Sequence, residues 1–231
     1  MESGGSSPPD RADFLLDFLS DLSYHQVMKV KYSSKTFFVG DPHFGHPAIL
    51  RHCKRPFVNV DEMDKVMMAN WNDMVKPGST VYIMGDFAFK NHSWYLNRLN
   101  GKKILIEGNH DKMSLKVKEN FREVHTMLRR RFFGKEVTLC HYAMKTWASS
   151  FHGTWHLYGH SHGRLEEGNN LSFDVGVDVW DFKPVPWELI VYKAELLMAQ
   201  MPLRFGKDYS KKNRESNRTI TESFLKTLDD A

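Results

Sequence analysis

Five places in this 231-residue chain put metal-ligating side chains directly behind a short apolar run. The blocks are Asp41-Pro42-His43, Gly85-Asp86, Gly108-Asn109-His110-Asp111, His141 and Gly159-His160-Ser161-His162. They supply seven candidate ligands: Asp41, His43, Asp86, Asn109, His141, His160 and His162. Mixed carboxylate, amide and imidazole donors suit manganese, iron, zinc, nickel or cobalt better than magnesium or calcium. Seven donors exceed what one tetrahedral ion takes and match two ions sharing a carboxylate. A pair of ions roughly 3.5–4 Å apart can clamp a phosphoryl oxygen and generate hydroxide near neutral pH. Taken singly, some blocks are ordinary: Gly-Asp is commonly a turn, and a lone histidine commonly packs or faces solvent. Gly-Asn-His-Asp and Gly-His-Ser-His are more specific, because adjacent buried polar groups need partners to offset their desolvation. The order of all five carries the inference.

The runs that must position these blocks are Thr36–Val39, Thr80–Met84, Ile104–Ile106, Val137–Cys140 and Trp155–Tyr158. Short, continuous and rich in β-branched and aromatic residues, they suit strands buried on both faces. Between the first two, Met63, Val66, Met67, Trp71 and Met74 recur on one face of a helix over Asp61–Val75. Lys76-Pro77-Gly78-Ser79 then stops it. Early strand–helix alternation, followed by closer-spaced strands through Trp155–Val179 and Glu188–Tyr192, predicts an α/β layered sandwich. In such a sheet the carboxyl ends of strands gather on one edge, so five ligand-bearing strand ends would open on one cleft.

Hydrophobic residues at 41% and charged residues at 26% describe a soluble globular chain. No apolar stretch approaches the eighteen or so residues of a membrane span, so no membrane partner is expected. Two cysteines, Cys53 and Cys140, are too few for a disulfide framework, and a reducing cytoplasm is the expected location. A formal charge of +4 is compatible with an anionic substrate without pointing to nucleic acid. Three divisions follow. Residues 1–34 form an extension, with a lead over 1–10 too polar to order itself and a helix over 11–23. Residues 35–200 are the body, and 201–231 a basic tail with a short helix around Ile220, Phe224, Leu225 and Leu228.

In their order the blocks resemble the signature of calcineurin-like metallophosphoesterases: Asp-x-His, Gly-Asp, Gly-Asn-His-(Asp/Glu), His, Gly-His-x-His. The resemblance covers about residues 35–195, and the context from Thr36 through His46, Arg51 and Arg55-Pro56-Phe57 is similar to small bacterial and phage members. It implies a four-layer αββα sandwich of two mixed β-sheets flanked by helices. It also implies one ion on Asp41, His43 and His162, another on Asn109, His141 and His160, and Asp86 bridging them. His110 matches the family's catalytic histidine, a proton donor to the leaving oxygen, with Asp111 orienting its ring. A hydroxide bridging two divalent ions, manganese first among them, would attack phosphorus in line.

His46, Arg51 and Arg55 are candidate substrate contacts, since a guanidinium fork matches phosphate oxygens. An ordinary surface role is the alternative for each. His156 reads as a residue that packs or orients a ligand rather than binding metal, Asp178 as a group holding a ligand imidazole, and Asp174 as a turn residue or a second such group. The substrate class is phosphate esters, phosphodiesters of nucleotide or cyclic-nucleotide type ahead of monoesters. Two other readings stay open: a nuclease on DNA or RNA, for which Arg129-Arg130-Arg131 could serve a polyanion, and a non-catalytic interaction module on the same fold.

Overall fold

A computed structural model describes residues 35–166 and 170–200. The helices expected over 11–23 and in the basic tail lie outside the described residues, so the three-part division stays an expectation.

Among the described residues, nine strands form two mixed sheets. The larger takes β1 (Thr36–Val39), β2 (Thr80–Ile83), β3 (Lys102–Ile106), β4 (Glu123–His125) and β9 (Val185–Pro186), in the order β4-β3-β2-β1-β9. Its first four strands are parallel and β9 runs against β1. The smaller takes β5 (Met127–Phe132), β6 (Lys135–Cys140), β7 (Trp155–Tyr158) and β8 (Ser172–Asp174), with only β5 antiparallel to its neighbour. The parallel pairs of β1, β2 and β3 end on one edge, which is where the ligand-bearing turns begin.

Alternation along each strand divides the core in two. Phe38, Tyr82, Met84, Ile104 and Ile106 face the smaller sheet and meet Val137, Leu139, Trp155, Leu157 and Phe173. Phe37, Val39, Val81, Ile83 and Leu105 face the other way, onto helices. These are α1 (Pro47–His52), α2 (Val60–Met74) and α3 (His92–Leu96), contributing Ile49, Met63, Met67, Trp71, Tyr95 and Leu96. Asn59 caps α2 by accepting the Glu62 N–H at 2.9 Å, while Glu62 reaches back to the Val58 N–H at 2.6 Å. That satisfies a helix donor and pins the chain entering the helix. A one-turn helix, α4 (Leu115–Lys118), follows the Gly108–Asp111 turn.

The strand expected over Glu188–Tyr192 is instead part of α5 (Trp187–Gln200). A short apolar run does not distinguish a buried strand from a buried helix. Here Leu189, Ile190, Val191 and Ala194 are all buried in the core, and the run 189–192 is apolar at every position, so no helical period shows within it. Val177–Val179 is a 3-10 turn rather than strand. Three strands, β4, β5 and β9, escaped the sequence reading. The arginine run lies on β5, where Arg129 pairs with Glu136 and Arg130 with Glu123, each at 2.7 Å. The run is thus tied largely into the sheet edge.

Candidate metal centre

Each expected ligand sits in the turn just beyond a strand, and the turns are bonded to one another. The Asp41 N–H donates to the Gly85 carbonyl at 3.2 Å and the His43 N–H to the Asp86 carbonyl at 2.9 Å. Gly40 joins the two sheets: its N–H donates to Val175 and its carbonyl accepts from Val177, at 2.8 and 2.9 Å. Gly85 turns with φ of 79°, and a Cβ there would collide with Nδ1 of His141 and reach Cα of Gly108 at 2.7 Å. Only glycine lets these turns close up. Asp41, His43, Asp86, His160 and His162 also hold left-handed φ values, from 50° to 65°, without being glycine. Such backbone is strained, and it clusters here on the candidate ligands.

Two groups of ligating atoms result, Asp41 with His43 and His162, and Asp86 with His141 and His160, each within 4.8 Å of one another. Asp86 lies between them: its Oδ2 is 3.5 Å from His43 Nε2 and 3.6 Å from His141 Nε2. Asn109 joins the second group, with Oδ1 3.0 Å from His141 Nε2. All seven residues named from the sequence are therefore brought together.

The donor chemistry fits cations. The Met84 carbonyl can only accept, so Nδ1 of His141 is the donor across their 2.7 Å bond. In the neutral ring Nε2 is then a bare lone pair, facing two further acceptors, Asn109 Oδ1 and Asp86 Oδ2, beside His160 Nδ1 at 3.2 Å, whose direction follows its tautomer. Convergence of acceptors on one point favours a positive charge among them. His162 is fixed the same way, Nδ1 donating to Asp178 at 2.7 Å. Asp41 Oδ1 and both ring nitrogens of His43 are buried and have no hydrogen-bond partner. Burial, reinforced by Arg55 and His162, holds the His43 pKa down at about 2, leaving the neutral imidazole a metal requires. Burial, then Asp86 and Asp174, pushes the Asp41 carboxyl well above the carboxylate range, a crowding that a cation would relieve.

Around the groups the placement differs from expectation at two residues. Arg55 is buried and spends all five N–H donors inside the protein: two on Asp178, one each on the Asp41 and Pro42 carbonyls, one on the Met63 sulfur. It braces the Asp41–Pro42 turn from beneath and has no donor left for substrate. Asp111 does not orient His110. Its carboxylate accepts the N–H groups of Asp86, Phe87 and Gly108 at 2.7, 2.9 and 2.8 Å, tying two ligand turns together. His110 itself is exposed, its backbone N–H on Asp86 Oδ1 at 2.8 Å and its ring 5.7 Å from that of His43.

His46 reaches the site, with its ring 5.4 Å from that of His43. Arg51 lines an open depression of about 580 Å³ with Pro47, Leu50, Phe57 and Val58, and no candidate ligand lines it. Asp178 holds His162 as expected. Burial acts to raise its pKa, but its bonds to His162 and Arg55 prevail and keep it at about 2. Asp174 accepts the Gly163 and Gly176 N–H groups, holding the turn after His162. His156 is buried against Thr138 and Tyr142 carbonyls and packs, as read. Cys53 comes near His162 and Asp178, but both Asp178 oxygens are already engaged. Two aromatic residues at the site were missed, Phe89 and Tyr142. The signal available was their position, three residues after Asp86 and one after His141.

No family model matches the chain. The phosphoesterase YfcE of E. coli aligns with a TM-score of 0.34 and 17% identity over 61% of this chain and 77% of that one, a likeness too remote to bear on function. A protein of unknown function from Aquifex aeolicus, AQ665, has 25% identity and a TM-score of 0.53, covering 67% of this chain and 96% of that one. The uncharacterized protein MJ1445 of Methanocaldococcus jannaschii is 34% identical over 168 residues, 68% of this chain and 89% of that protein. At that identity and coverage, the chain belongs to the same family as MJ1445.

Proposed function

We propose that the chain is a metal-dependent phosphoesterase, a calcineurin-like enzyme that hydrolyses phosphodiesters in preference to monoesters. The observation that carries this reading is Asp86, one of whose oxygens faces imidazoles of both ligand groups at 3.5 and 3.6 Å. One ion would take Asp41, His43 and His162, the other Asn109, His141 and His160, with Asp86 shared and manganese the first candidate at both. Bound there, two ions would supply hydroxide near neutral pH and draw charge from the phosphoryl oxygens.

The chain's own residues do the rest. Met84 and Asp178 fix the His141 and His162 rings with Nε2 towards the centre. Asp111 and Arg55 lock the ligand turns from behind, so the donors are set before substrate arrives. His110, exposed beside His43, is the group free to give a proton to the leaving oxygen. Residues 35–200 form the catalytic unit.

The test is turnover of a nitrophenyl phosphodiester and the matching monoester by protein stripped of metal and reloaded with manganese, alongside Asp86→Asn and His110→Asn. Restored turnover, lost in both variants, is the expected result. No turnover with two ions bound would overturn the reading.

A further inference from the structure

Phe89 and Tyr142 are large aromatic side chains left 44% and 45% exposed, and each touches a different half of the ligand set. Phe89 lies 6.1 Å from the His43 ring and 5.2 Å from His110. Tyr142 lies 4.9 Å from His141 and 4.8 Å from His160. Neither is a loose surface residue. The back of Phe89 is covered by His46, stacked at 3.7 Å with only 9° between the planes. His46 is in turn held against His43 and is not fully solvated. Tyr142 lies steeply inclined to both its histidines, at 71° and 67°, rather than stacked on either. The backbone carbonyl of Tyr142 contacts the buried His156 ring at 3.2 Å, which anchors the residue.

Two supported, half-exposed aromatic rings thus flank the candidate centre, one beside each ligand group. A π-face suits a planar heterocycle, and such stacking tolerates any base. We infer that the substrate carries a planar ring on each side of its phosphodiester, as a linear dinucleotide unit does, with one base on Phe89 and the other on Tyr142. This rests on the phosphoesterase reading above. It separates candidates that the ligands alone do not: a cyclic mononucleotide or a nucleotide monoester offers one ring and leaves one face unused. His46, previously a candidate for touching substrate, becomes the positioning residue that holds Phe89 flat.

The experiment uses the full chain loaded with manganese and compares kcat/KM for ApA with that for its abasic counterpart, two riboses joined by the same 3′–5′ diester. The quantity read is the ratio of the two, which a general loss of activity leaves unmoved. Wild type should prefer ApA. Phe89→Ala and Tyr142→Ala should each lower the ratio about 5- to 100-fold, the range of one lost base stack. Phe89→Leu and Tyr142→Leu, which keep apolar bulk without a planar face, should do the same, and Phe89→Trp should preserve the ratio. A wild-type ratio near one, or a ratio unmoved by both leucine variants, overturns the inference while hydrolysis of the abasic diester leaves the phosphoesterase reading standing. A fall in only one leucine variant overturns the two-sided assignment. Failure to hydrolyse either diester by manganese-loaded protein that turns over the nitrophenyl phosphodiester overturns the inference alone, and failure on all three removes the phosphoesterase reading with it.

Discussion

Arg55 and Asp178, 123 positions apart in the chain, meet through two N–H···O bonds of 2.8 Å each. The pair joins both ends of one ligand group, because Arg55 also holds the Asp41 carbonyl and Asp178 also holds the His162 ring. Lysine keeps the charge but not the fork. Arg55→Lys should therefore weaken manganese binding about 10- to 100-fold, the usual cost of losing a group that orients a ligand. Competition against a calibrated chelator reads this directly. Unchanged affinity would mean that the turn holds itself.

Metal binding should also appear as stability. A cation that binds the folded chain and not the unfolded one stabilises it by about 2.7 kcal/mol at a hundred times its dissociation constant. Chelator-treated protein should melt lower than manganese-loaded protein, and Asp86→Asn should close most of that gap. An identical melting temperature with and without manganese would argue that the grouped ligands bind no ion.

His110 and Asp111 are neighbours with opposite expected phenotypes. His110 is exposed and packs in no core, so His110→Asn should cost turnover and leave the melting temperature nearly unchanged. Asp111 serves three backbone N–H groups in a buried position. Asp111→Ala leaves those donors unmatched and should destabilise the fold by about 2–4 kcal/mol. Paired denaturation and activity curves separate the two. Equal destabilisation by both substitutions would contradict the division of roles.

Lys135 gives a pH signature away from the centre. Burial at the start of β6 pulls its pKa down to about 8, with Glu195 opposing. Above that value and below the ordinary lysine range, the unfolded chain holds more protons than the folded one, so stability rises with pH. The wild-type melting temperature relative to Lys135→Met should increase from about pH 7.5 to about pH 9.5. A constant difference would mean that Lys135 keeps its ordinary pKa when folded.

The centre was legible in the sequence because its residue types are chemically unusual after apolar strands. Thr36–Val39 and Trp155–Tyr158 were read to the residue, and the helix at Val60–Met74 to within one. Legibility failed where one sequence pattern serves two structures. Glu188–Tyr192 carries a strand-like apolar run inside a helix, and a run that short shows no helical period. Met127–Phe132 alternates, but its three arginines masked a strand in which Arg129 and Arg130 are paired along the sheet edge. Arg55 and Asp111 were recognised as important and misassigned in role, since whether a charged group faces substrate or backbone is decided by burial. Phe89 and Tyr142 were marked only by standing just after Asp86 and His141; their meaning comes from the histidines they touch.

The left-handed backbone at the candidate ligands gives inheritance at this site a direction. At His43 and His160 the side chain is held at about 1–2 kcal/mol of backbone strain. On the metal-binding reading proposed above, in a lineage released from that selection glycine there relaxes the turn at once, whereas recovering the histidine means re-entering it. Decay runs downhill and recovery uphill, while the two sheets beneath are untouched by either. The scaffold can thus outlive its chemistry, and left-handed histidines in a distant relative are a better sign of a working centre than the fold is.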